Sequence, residues 1–139
     1  PCLKLDLQYT SPSSFQALDD PMLHISLLKL CIRSYVGKDF RGLEDPFISP
    51  VVASNELLAK LPPVRIITGS EDPMQDDNWR LVAKLRKLNK NVKIIVHEHL
   101  SHAFMAHQDL KDYDLYIKEA CELIKELVNI KHNSQEEKC

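Results

Sequence analysis

Glycine is scarce in this chain: Gly37, Gly42 and Gly69 are the whole supply in 139 residues. Glycines so far apart cannot build a Gly-x-Ser-x-Gly turn, the strained elbow that presents a serine nucleophile, nor a glycine-rich loop that donates to an oxyanion. Ser70 has Gly69 before it but no second glycine two residues later, and Ser101 adjoins a histidine rather than sitting in an elbow. The chain also lacks any CxxC pair. Cys2, Cys31, Cys121 and Cys139 are widely spaced, which favours free thiols in a reducing compartment over a disulfide framework. Cys31 and Cys121 are expected on apolar helix faces, where cysteine behaves as a small hydrophobe.

No apolar run is long enough to span a bilayer and no signal peptide is visible, so a cytoplasmic location is expected, with association to lipid left open. Nor is there a dominant charge. The net charge of -2 excludes nucleic acid as the main partner, because a polyphosphate calls for a clustered basic face. The one Lys-rich stretch, Arg80 to Lys93, alternates with apolar residues at helical spacing and reads as the wet side of an amphipathic helix.

What is present is an alternation of strand and helix patterns. Leu3, Leu5 and Leu7 alternate with polar residues as in a short strand. Turn-formers come next, from Thr10 to Ser14. Ile25 to Val36 has helical spacing, with Gly37 placed to cap it. The stretch Lys38 to Pro63 is irregular, apart from a possible helical turn at Glu56 to Lys60. Val64–Thr68 and Val92–Val96 are β-rich runs. Between them Asp72-Pro73 is expected to open a helix to about Leu88, with Pro73 at its first position and Leu81, Leu85 and Leu88 as an apolar stripe widened by Trp79 and Val82. A last helix, about Asp112 to Ile130, is expected to bury Ile117, Ala120, Cys121, Ile124, Leu127 and Val128, and 131–139 reads as a polar, disordered tail. The order predicts an α/β class: about three parallel strands with flanking helices, and an excursion over 13–36.

In parallel α/β sheets, reactive groups gather beyond the C-terminal ends of the strands. Two loops occupy that position. The first, Gly69 to Met74, carries Asp72; the second, His97 to Phe104, carries His102. A carboxylate and an imidazole meeting there form the acid–base part of a hydrolytic triad, in which the carboxylate holds one ring nitrogen so that the other can accept a nucleophile's proton. Taken singly, Asp72 reads more readily as a helix N-cap and His102 as an exposed loop residue. A loose metal cluster of His97, His99 and His102 is a rival. The zinc-protease HExxH pattern, however, would need histidine at position 101, where Ser101 stands, and no metal or cofactor is expected.

Four segments carry a resemblance: Asp45-Pro46-Phe47-Ile48-Ser49-Pro50, Leu61-Pro62-Pro63-Val64, Asp72-Pro73-Met74 with Asp76-Asp77, and Ser101-His102-Ala103-Phe104. In order and spacing they resemble the C-terminal half of the hormone-sensitive-lipase family of α/β hydrolases, well over 40–128 and more loosely over 1–36. The resemblance implies Asp72 as catalytic acid and His102 as general base of a Ser-His-Asp carboxylic ester hydrolase acting on neutral acyl esters. It places the serine upstream of Pro1 and leaves this chain alone inactive. It also makes the excursion lid-like, with Phe15, Leu18, Met22 and Leu23 as candidate acyl contacts, although simple core packing explains each of them equally well. The family usually has glycine where this chain has Ala103, which costs about 1 kcal/mol if the backbone there needs positive φ. A Leu3–Leu7 strand without its upstream neighbour would leave an edge for the missing N-terminal half or a second copy to cover. The alternative is a non-catalytic, degenerate hydrolase module used for assembly.

Overall fold

The computed structural model describes residues 11–16, 18–37 and 45–136, with side chains up to residue 129. The expected Leu3–Leu7 strand, Cys2 and Cys139 lie outside the described residues. Two parallel strands organise the fold: β1 (Val64–Gly69) and β2 (Val92–His97), in register from Val64 opposite Val92 to Gly69 opposite His97. Each runs one residue beyond its expected end.

The crossover between them is the helix α4 (Gln75–Lys87). Its apolar stripe forms as expected at Leu81 and Leu85, with Val82 beside them, while Leu88 is half-buried. Trp79 corrects the expectation: at 42% exposure it faces solvent, beside an open hollow of about 340 Å³ lined by Pro12, Asp76, Trp79, Arg80 and Ala83. Leu81 and Leu85 join Val51, Ala53 and Leu58 in one core cluster, against which Val64, Ile66 and Val92 of the strands pack. Lys84 on the same helix is more than a wet-face residue, since its Nζ donates to the carbonyls of Val51 and Ala53, both at 2.9 Å.

The ends of α4 are set by local chemistry. At the C-terminus Asn89 adopts φ 55°; its N–H donates to Arg86 O and that of Lys90 to Leu85 O, the paired bonds of a Schellman cap. The N-terminus starts later than expected. The N–H of Gln75 donates to Asp72 O at 3.0 Å, closing a β-turn with Pro73 at its second position and Met74 (φ −101°, ψ 13°) at its third. Pro73 therefore precedes the helix instead of opening it.

Before the sheet come α1 (Pro12–Gln16), α2 (Ile25–Val36), a 3-10 turn (Pro50–Val52) and α3 (Asn55–Ala59). α2 has the expected bounds, and Gly37 at φ 82° ends it with its N–H on Arg33 O. Ser11 to Ser14 are not loop turn-formers: Pro12 starts a short helix against the start of α4, and Ser11, Ser13 and Ser14 are buried. Cys31 is exposed, because α2 turns Ile32 inward and leaves Leu27, Leu30 and Tyr35 outside.

The described residues divide into two compact units, the second beginning at Phe104. It comprises a 3-10 turn (Phe104–Ala106) and α5 (Tyr113–Glu136), with Phe104 edge-on to Tyr116 at 5.1 Å. The expected face of this helix is corrected in part, since Ile117, Ala120 and Leu127 are half-buried. Leu123 is buried, whereas Cys121, Ile124 (60%) and Val128 (50%) are exposed. α5 continues to Glu136, so part of the stretch expected as a disordered tail extends the helix. Among the described residues no helix is long and apolar enough to cross a membrane.

Candidate functional site

Parallel pairing ends both strands at the same level, Gly69 beside His97, so the loops that leave them start as neighbours. Backbone bonds then lace the loops together. Ser70 N–H donates to His97 O at 2.8 Å and Glu71 N–H to Leu100 O at 3.1 Å. The Ser70 hydroxyl accepts the N–H of His99 at 2.9 Å, holding a residue whose φ of 59° is uncommon outside glycine. This approach requires Gly69, since a Cβ there would overlap the carbonyl oxygen of Leu100.

On the first loop the β-turn Asp72–Gln75 aims the carboxylate. Asp72 is 6% exposed; its Oδ1 accepts the N–H of Met74 at 2.8 Å, and its Oδ2 lies 2.9 Å from His102 Nδ1. Asp72 is not the N-cap of α4, a place taken by Met74: one of its oxygens holds the turn that precedes the helix and the other meets the imidazole. A carboxylate in ionised form only accepts, so this contact suits a ring that donates from Nδ1, and a neutral ring of that tautomer has its lone pair on Nε2. The His102 side chain is 27% exposed against 9% for Asp72, so the ring spans the distance from a buried anion toward solvent.

A polar relay links the end of β1 to α4. Asn78 Nδ2 donates to Thr68 Oγ1 at 3.1 Å, and Thr68 Oγ1 donates to Gln75 Oε1 at 3.1 Å, tying the end of β1 to the first turns of α4. Asp76 and Asp77 occupy the first turn of α4, where the helix dipole favours carboxylates, and Asp77 also pairs with Arg80 at 3.2 Å. On the second loop Ala103 has φ 55°, the left-handed conformation anticipated at the position after the histidine.

The other histidines do not join this pair into a cluster. His99 is exposed, with Nδ1 at 3.5 Å from Glu71 Oε1, and His97 closes β2. Among the described residues no three His, Cys, Asp or Glu side chains are grouped to hold a metal ion. Of the candidate acyl contacts, Phe15 (62%), Leu18 (43%) and Met22 (38%) are exposed and Leu23 is half-buried. Asp20 Oδ1 accepts the N–H groups of Met22 and Leu23, which fixes that stretch of the excursion. None of the four lines the hollow beside Trp79.

Sequence reasoning missed Gly69 and the serines of α1. The first had a signal, a glycine at a strand end in a chain with only two others. The second had one too, Ser-Pro at a helix start, which was outweighed by the turn-forming composition around it.

Comparison with known proteins places these features. A family model described as the alpha/beta hydrolase fold matches residues 1–106. Human hormone-sensitive lipase is 41% identical over 63 residues, which is 45% of this chain and 6% of that protein. An esterase of Pyrobaculum calidifontis superposes with a TM-score of 0.79 at 18% identity, over 92% of this chain and 41% of its own. The esterase EstE5 does so with a TM-score of 0.75 at 22% identity, over 91% and 40%. The structural likenesses bear on the fold. The chain spans under half the length of each of these relatives, is similar over part of its length to hormone-sensitive lipase, and belongs to the α/β hydrolase family.

Proposed function

We propose that Asp72 and His102 are the acid and base of a Ser-His-Asp carboxylic ester hydrolase whose serine stands N-terminal to Pro1. One observation carries the reading: a buried carboxylate at 2.9 Å from Nδ1 of a part-exposed imidazole, on loops leaving adjacent parallel strands. In the reaction the serine Oγ attacks the ester carbonyl carbon while His102 Nε2 takes its proton. Asp72 holds the ring in the required tautomer and stabilises the imidazolium. His102 then gives that proton to the departing alkoxide. Water repeats the sequence on the acyl-serine, releasing the acid and regenerating the hydroxyl.

Neutral acyl esters are the proposed substrates. The exposed apolar side chains of Phe15, Leu18 and Met22, with Leu23, support an acyl-contacting role for the excursion. The free thiols of Cys31 and Cys121 accord with a cytoplasmic location. The upstream half of the fold is the proposed partner that completes the site.

The test uses the protein extended upstream to include its nucleophile. Turnover of p-nitrophenyl butyrate is expected, falling roughly 10⁴-fold or more in His102→Ala and Asp72→Asn with the fold intact by circular dichroism. Full activity in either variant overturns the assignment.

A further inference from the structure

The carbonyl of Pro73, the residue next to Asp72, precedes α4 and lies outside its hydrogen-bond ladder. Pro73 is fully buried, so the group needs partners from elsewhere in the chain. They come from α1. Ser13 Oγ donates to it at 3.0 Å and Ser14 Oγ at 2.9 Å, which uses both lone pairs of the carbonyl oxygen. Ser11 Oγ stands 3.0 Å from Ser13 Oγ, 2.8 Å from Ser14 Oγ and 3.5 Å from the carbonyl, and it accepts the Ser14 N–H at 3.2 Å. A reciprocal pair completes the joint: Ser13 N–H donates to Asp76 Oδ2 at 2.9 Å, and Asp76 N–H to Ser13 Oγ at 3.2 Å. The second of these gives the entrance of α4 the side-chain acceptor that Met74, its N-cap, does not supply.

We propose that Ser11, Ser13 and Ser14 are positioning residues that anchor the turn carrying Asp72, so that the excursion bearing Phe15, Leu18 and Met22 is fixed to the catalytic acid. The inference rests on the reading of Asp72 as the triad acid. Two hydroxyls, braced by a third, converge on the carbonyl of the residue directly after the acid, and all three serines are buried. Removing them frees the Asp72–Gln75 turn while leaving β1, β2 and the core cluster untouched. The carboxylate then loses its fixed direction toward His102.

The test is the Ser13→Ala/Ser14→Ala variant of the upstream-extended protein, read by amide hydrogen exchange and by kinetics. Exchange at Met74 and Gln75, whose N–H groups bind Asp72, is expected to rise about tenfold while Val92–His97 stays slow. With p-nitrophenyl butyrate kcat is expected to fall about tenfold at unchanged KM, and Ser13→Thr/Ser14→Thr, which keeps the hydroxyls, to restore both. Should the double variant fail to fold, Ser14→Ala alone is read in the same way. Unchanged exchange at Met74 and Gln75, a rise shared equally by β2, or faster exchange with kcat intact would each overturn the proposal. Failure of the triad reading looks different: Asp72→Asn would then keep its activity whatever the serines do.

Discussion

Gly69 shows how little space separates the loops that leave β1 and β2. Its missing side chain lets the carbonyl of Leu100 sit where a Cβ would be, and the bonds from Ser70 and Glu71 to the second loop depend on that proximity. Backbone holds both sides, so the strain of an added methyl has no flexible side chain to absorb it. Gly69→Ala is expected to lower stability by about 1–3 kcal/mol, the range for overpacking a close contact, and to lengthen the contact between Asp72 and His102. Urea unfolding measures the first. Loss of the downfield proton resonance of the His102 Nδ1–H measures the second, and an unchanged resonance would count against the argument. Ala103 presents the opposite case, a residue bearing a Cβ in left-handed backbone. That cost, about 1 kcal/mol, was legible from the sequence because a family pattern marked the position. Gly69 had only its place at a strand end as a signal, since the constraint itself comes from a loop about thirty residues away.

The elements are most legible in the sequence where one local signal dominates. Ile25–Val36 ends at its glycine, and both strands stand out as β-branched runs. Errors arise where a helix offers two apolar stripes, because periodicity then fits either. α5 has Leu115, Ile124 and Val128 on the exposed side and Leu123 on the buried one. In α2, Cys31 lies at helical spacing from Leu27, yet it is Ile32 that turns inward. The start of α4 is misplaced for another reason: the Asp72–Gln75 turn uses Pro73 as a turn residue, and a helix-start signature reads the same in sequence. α3 supplies a pH dependence. The carboxyl of Glu56 is held below its usual 4.5 first by a backbone hydrogen bond and then by the hydroxyl of Ser54, with burial a minor opposing influence. A lowered folded-state pKa stabilises above the unfolded value, and that gain is lost as pH falls through the folded one. Because Glu56 is fully exposed the effect is small. Acidification from neutrality to about pH 4 is expected to lower Tm slightly more in the parent than in Glu56→Gln. Identical slopes would remove Glu56 from the acid response.

At the scale of the whole molecule the chain carries the proposed acid–base pair, Asp72 and His102 in contact at 2.9 Å, and no Gly-x-Ser-x-Gly elbow for a nucleophile. Triad members act as a unit, so an imidazole oriented by its carboxylate but lacking a serine and an oxyanion hole accelerates ester hydrolysis little. The 139-residue chain by itself is accordingly expected to turn over p-nitrophenyl butyrate no faster than buffer. Appreciable turnover abolished by His102→Ala would refute this and point to a nucleophile within the chain. The register of β1 against β2 has a consequence for length. Acid and base are thirty residues apart along the chain, yet their separation in space is set where two paired strands stop, one strand spacing apart, about 4.8 Å. Beyond the entrance of α4, the length of the crossover plays no part in that measurement. An insertion after the cap at Asn89 and Lys90 adds only slowly growing closure entropy and leaves both strand ends in place. Homologous chains can therefore vary in length between Lys87 and Val92 while the acid–base distance is conserved, whereas a single residue added inside either strand would shift one loop against the other and separate the pair.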